Sequence, residues 1–222
     1  MIITIDGPAA AGKGTLSAYL AQTYKLAYFD TGMVYRAVGL QMVLTGLDLN
    51  NKEEALKIAA NLTFQQMIEL SRHPDFRSDI GSNAASVVSA YPEVRQALLA
   101  MQKNFALSPV FADGTPANGV IYDGRDTGTV ICPNADLKLF ITASAEVRAE
   151  RRYKEYAAKG MSTSYEKVLE DVISRDERDS KRSSAPMKPA EDAVIIDTSF
   201  LSIAEVIEEI TPLVQAKINQ TR

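Results

Sequence analysis

The sequence predicts an α/β layer fold, and three observations carry the prediction. Short β-branched runs alternate along the chain with segments of helical periodicity. A run of small residues, 7–14, stands between the first such run and the first helical segment, where a strand passes into a helix. Apolar residues make up 46% of the 222 positions and charged residues 23%, a balance that fills the core of one domain carrying an insertion.

Residues 1–6 read as a strand, and 15–24 as a helix with Leu16, Tyr19 and Leu20 at helical spacing. A second strand, 27–29, leads through the turn Asp30-Thr31-Gly32 into a helix over 33–44. Asn51 with Glu54 three residues on marks another helix start, with Leu56, Ile58, Ala59 and Leu62 beyond it. Residues 83–90 and 94–105 are helical, Pro92 fitting a first turn, and 108–119, with two Pro, two Gly and an Asn, is an exposed loop. Buried strands are predicted at 120–123 and 137–142, and charge-rich helices at 144–159 and 165–178, with Gly160 between them. A last strand at 193–197 precedes a closing helix whose capping box is Ser202 and Glu205 and whose core face is Ile203, Val206, Ile207 and Ile210. There is no internal repeat.

Charge and rare residues narrow the chemistry. A net charge of −4 offers no strong attraction to nucleic acid. The single cysteine, Cys132, excludes intramolecular disulfides and multi-thiolate zinc, and reads as packing. The single histidine, His73, excludes sites needing two histidines and reads as an exposed loop residue. No apolar run approaches the ~20 residues that span a bilayer, and no basic leader or cleavage site opens the chain, so a cytoplasmic protein without a membrane partner is expected. What remains is Lys, Arg, Asp and backbone amides.

The segment Gly7, Pro8, Ala9, Ala10, Ala11, Gly12, Lys13, Gly14, Thr15 has the context of a phosphate-binding loop. Small residues let successive N–H groups curl around a polyphosphate, and the helix start adds partial positive charge. Lys13 brings an ammonium to the β and γ phosphates, and Thr15 can donate to phosphate or help hold Mg²⁺. Gly14 stands between Lys13 and the hydroxyl residue, a variant seen in nucleotide monophosphate kinases. Arginine is concentrated too: Arg148, Arg151, Arg152, Arg175, Arg178 and Arg182 fall in one window, and Arg36 and Arg125 each follow a turn. Planar guanidinium groups suit phosphate oxygens. The competing reading pairs the helix arginines with Glu150, Glu155, Asp171 and Glu177 on a solvated face.

These blocks together resemble the bacterial cytidylate kinases. The carrying segments are Ile5 to Thr15, Phe29 to Gly32 with Tyr35 and Arg36, Asn83 to Ser86 with Val94 and Arg95, and Asp123 to Asp126 with Gly128 to Val130. Arg175, Asp176, Arg178, Asp179 and Arg182, with Ala185 and Pro186, complete the likeness. The resemblance implies a P-loop kinase core with a central parallel sheet flanked by helices, a small monophosphate-binding insert and a helical, arginine-rich lid. As one domain, the core covers roughly 1–45, 120–145 and 193–222, the insert 46–119 and the lid 148–182. Transfer from ATP, with Mg²⁺, to CMP or dCMP is implied, in a chain expected to be monomeric.

By the same likeness Ser86, Arg95 and Asp126 face the cytosine, whose amino group donates to a carboxylate where uracil presents an acceptor. Thr31 and Tyr35 line the monophosphate pocket, Arg36, Arg125 and Arg182 hold phosphate, and Asp179 with Arg175 reaches the sugar. Lys13, Arg125 and Arg182 carry transition-state charge, and Arg148, Arg151 and Arg152 match the lid. The acceptor is itself a phosphate, with a second pKa of about 6, so no general base is required. Three departures stand out. Residues 62–77 are too short for the family's three-stranded antiparallel insert, 111–119 looks inserted, and Ala10 replaces a glycine, which a negative φ tolerates. Two rivals remain: another acceptor, UMP or a small molecule such as shikimate, and a nucleotide-binding switch with no need to read a base.

Overall fold

The computed structural model describes residues 1–220. Five parallel strands form one sheet: β1 (Ile2–Asp6), β2 (Ala27–Asp30), β3 (Val120–Gly124), β4 (Leu137–Thr142) and β5 (Val194–Asp197), in the order β2-β3-β1-β4-β5. β1 is central because it is apolar enough to be buried by strands on both sides, Ile3 standing opposite Ile121 on one and Leu137 on the other. Its period of two sends Ile3 and Ile5 into a core with Leu16 and Leu20 of α1 (Lys13–Tyr24) and Val206 and Ile210 of α9 (Ile203–Gln220). Thr4 and Asp6 point to the other face. Ile203 is 45% exposed and so does not share the core face expected for it, because it is the first residue of its helix. Ser202 and Glu205 form the expected capping box.

The chain forms two compact units. The first holds residues 1–29, 109–181 and 185 onward, including the sheet, α1, α9, and the pair α7 (Ala145–Ala158) and α8 (Tyr165–Ser180). Val168 and Val172 of α8 pack on Ala149 and Tyr156 of α7. The second unit, residues 30–108 with 182–184, is helical: α2 (Gly32–Leu44), α3 (Lys52–Asn61), α4 (Phe64–Leu70), α5 (Asp79–Val88) and α6 (Pro92–Leu107). It begins at Asp30, so α2 falls within it rather than with the sheet. The reason is packing: α2 buries Val34, Ala37, Val38 and Leu40, and Gly39 lies against Ala84 of α5 with no room for a side chain.

Between 62 and 77 the chain makes α4, capped by Thr63 and Gln66, and a 3-10 turn, Pro74–Arg77; no strand forms there among the described residues. His73 caps that turn, its Nδ1 accepting the Asp75 amide at 3.2 Å. The 108–119 loop closes through a single bridge between Val110 and Pro116.

Candidate active site

The first βα connection curls back over the carboxyl end of the sheet, where open α/β folds bind ligands. Gly7 has φ +140°, and a Cβ there would collide with the Ile141 carbonyl, so only glycine fits. Ala10 has φ +61°, not the negative value at which alanine would replace the glycine without strain. A loop running from strand end to helix start within 7–12 needs left-handed positions, and it takes them at Gly7, Ala10 and Gly12. That requirement outweighs the αL penalty of about 1–2 kcal/mol for an L-residue. Gly12, at the head of α1, has no capping side chain, and the first turn of α1 has no acidic residue. Its N–H groups and positive helix end are left for an anion.

Lys13 is 5% exposed, and its Nζ donates to the Pro8 carbonyl at 2.8 Å. Burial, then the Arg125 charge, pushes its pKa down to about 7, while Asp123, 3.9 Å away, partly opposes them. Asp123 also accepts the Tyr28 hydroxyl at 3.3 Å. Nothing in the local sequence marks Asp123 as a neighbour of Lys13. Its position matters because β3 pairs with the loop's own strand, Ile5 opposite Asp123, and that neighbour relation is not written locally. Two residues on, Arg125 Nε donates to Asp179 Oδ2 at 3.1 Å, and Arg175 Nε lies 3.9 Å from the same oxygen. Arg125, Arg175 and Asp179 are thus brought together, and Asp126 is buried at the head of a π-helical turn, Thr127–Ile131.

The helix arginines do not pair as the solvated-face reading supposed. Glu150, Glu155, Asp171 and Glu177 bind lysines instead: Lys154, Lys159, Lys167 and Lys181. Arg148, 4% exposed, donates to both carboxylate oxygens of Asp176, to Ala143 O at 2.8 Å and to Ala9 O of the phosphate loop at 3.3 Å. Arg151 donates to Thr198 O at 2.7 Å, and Arg152 donates to the Tyr156 hydroxyl. Arg178 is exposed on α8.

In the second unit, Thr31 is buried at the head of α2, one turn ahead of Tyr35 and Arg36. Arg36 Nη1 and Arg77 Nη1 each lie 3.5 Å from Asp30 Oδ2, while Asp30 Oδ1 accepts the Gly32 amide. Arg77 was not anticipated, because nothing local connects it to a turn 47 residues earlier. The Arg95 guanidinium sits 5.2 Å from the Tyr35 ring centroid and donates to Ser89 O. Ser86 is 3% exposed, and its Oγ has no hydrogen-bond partner among the described residues. A buried hydroxyl in that state suits a polar ligand. Arg182 belongs to this unit.

Residues 3–216 match the family profile of cytidylate kinase. The chain belongs to the cytidylate kinase family. Cytidylate kinases of Rhodopseudomonas palustris and Methylocella silvestris are each 45% identical to it, across 97% and 100% of this chain and 96% and 97% of theirs. That of Azorhizobium caulinodans is 48% identical across 92% of this chain and 93% of its own. A crystal structure of an uncharacterized protein from Eubacterium ventriosum shares 12% identity at a TM-score of 0.51, covering 97% of this chain and 98% of that one, a likeness of fold alone. No three His, Cys, Asp or Glu side chains gather as a metal cluster among the described residues. No helix there is long and apolar enough to cross a membrane.

Proposed function

We propose that this chain transfers the γ-phosphoryl group of ATP to CMP or dCMP, giving ADP and CDP or dCDP, in the cytoplasm. The observation that carries the reading is the near full-length match to cytidylate kinases, joined to a phosphate loop whose lysine is buried beside Asp123 and Arg125. The loop amides and Lys13 take the donor's phosphates. Arg125 and Arg182 spread the charge that develops during transfer, and no residue serves as base, because the attacking phosphate oxygen is already anionic. Thr31, Tyr35 and Arg36 receive the acceptor's monophosphate, and Arg175 with Asp179 its sugar. Ser86, Arg95 and Asp126 read the cytosine edge.

Mg²⁺ suits the oxygen groups beside the loop: the exposed Thr15 hydroxyl in the first turn of α1, and Asp123, whose Oδ2 would stand 3.6 Å from a Cβ on Gly14. When bound it would neutralise phosphate charge, with most of its ligands coming from phosphate and water. Arg148, Arg151 and Arg152 belong in this reading to a closing element that excludes water. A steady-state survey of CMP, dCMP, UMP, AMP and GMP with Mg-ATP tests the proposal. The cytidine nucleotides should lead, and transfer to CMP no faster than to the others refutes it.

A further inference from the structure

Asp6 ends β1 and is 5% exposed. Its carboxylate accepts three hydrogen bonds: the Thr127 amide at 2.8 Å and hydroxyl at 2.9 Å on Oδ1, and the Gly128 amide at 2.8 Å on Oδ2. Those amides open the π-helical turn and belong to the donors that a helix start leaves without intrahelical partners. The residue in the capping position is Asp126, of a type whose side chain commonly accepts such donors. It makes no side-chain capping bond here. The cap comes from a different strand, 121 residues away in the chain. Gly128 permits the approach, since a Cβ there would stand 2.8 Å from Thr4 Oγ1 and 3.4 Å from Asp6 Oδ2.

We propose that Asp6 is a positioning residue for base discrimination: by capping the Thr127–Ile131 turn from behind, it relieves Asp126 of that task and holds the Asp126 carboxylate toward the acceptor's pyrimidine. The inference rests on Asp126 reading the base. The three donors offset only part of the cost of burying a charge at this place. Burial, with a smaller contribution from Asp126, raises the Asp6 pKa to about 6 even though all three donors act to lower it. A neutral polar side chain would be buried at lower cost. A carboxylate has what the turn needs, two acceptor oxygens for two adjacent amides.

The test is Asp6→Asn, which replaces one of those oxygens with an amide donor. Its kcat/KM for CMP relative to UMP should fall about five- to tenfold, with KM for CMP rising more than kcat falls. The ratio isolates the effect, because Asp6 also acts electrostatically on Lys13 and any change at the donor site touches both acceptors alike. Asp126→Asn should lower the same ratio about a hundredfold, and the double variant no further, because Asp6 acts through Asp126. Should Asp6→Asn not fold, Thr127→Val removes one donor of the three and should lower the ratio about two- to threefold. An unchanged ratio in the variant measured, or effects that multiply in the double variant, overturns the proposal. A ratio indifferent to Asp126→Asn overturns the base-reading assignment itself, and the proposal with it.

Discussion

Lys13 combines near-complete burial with a cationic neighbour, Arg125, and in the absence of nucleotide its ammonium is held down to about 7. Phosphate oxygens arriving in the loop reverse that balance, since an adjacent anion favours the charged form. ATP binding at pH 7.5–8 should therefore take up a fraction of a proton. Calorimetry in buffers of different ionisation enthalpy measures it, and a buffer-independent enthalpy would contradict it. Stability follows the same linkage. A lysine with a lowered folded pKa binds fewer protons folded than unfolded between about 7 and 10.5, so unfolding becomes harder as pH rises through that window. Ala10 is the other residue under constraint, a non-glycine at φ +61°. Ala10→Gly relieves the αL penalty and loses part of the gain to unfolded-chain entropy, so stability should rise by up to about 1 kcal/mol. Denaturant titration checks this, and a loss would mean that the Ala10 methyl contributes more than its backbone strain costs.

Among elements, α7 and α8 are joined by apolar packing and by Arg148, which also reaches the phosphate loop at Ala9. Removing its carboxylate partner leaves a buried guanidinium half-compensated. Asp176→Ala should cost about 3 kcal/mol, read as a lowered denaturation midpoint, whereas removal of an exposed pair such as Lys154–Glu150 should leave the midpoint nearly unchanged. Equal costs would show that Arg148 finds water or another acceptor. Element positions were largely legible: Asn51 caps α3 through the Glu54 amide, Pro92 opens α6, and the strands at 120 and 137 are buried. α4 was not read, because seven residues carry too little periodicity, and α5 starts at Asp79, earlier than its apolar pattern suggests, because Ser78 caps it.

For the whole molecule, the division into two units predicts two kinetic signatures. Lys13, in the first, is assigned to the developing charge in the proposed function, so Lys13→Ala should lower kcat at least about a hundredfold with a small change in KM for CMP. Arg95, in the second and anchored by Tyr35 and Ser89, is assigned to the acceptor in the proposed function. Arg95→Ala should raise KM for CMP about ten- to a hundredfold with kcat changed less. Steady-state kinetics with both substrates varied separates the two, and matching effects on kcat and KM in either variant would count against these roles.

Local chemistry lies within a few residues, and there the chain speaks for itself. The small-residue loop with Lys13, the capping box of Ser202 and Glu205 and the alternation of buried strands with helices were all readable, since turn geometry and apolar period act over a handful of positions. Tertiary structure alone decided who stands beside whom. It set Asp123 beside Lys13, Asp6 behind the Asp126 turn and Arg148 against Ala9, and it imposed φ +61° on Ala10. Those pairings span 110, 121 and 139 residues, distances over which no sequence period operates, and they exist only because the sheet order sets β1 between β3 and β4.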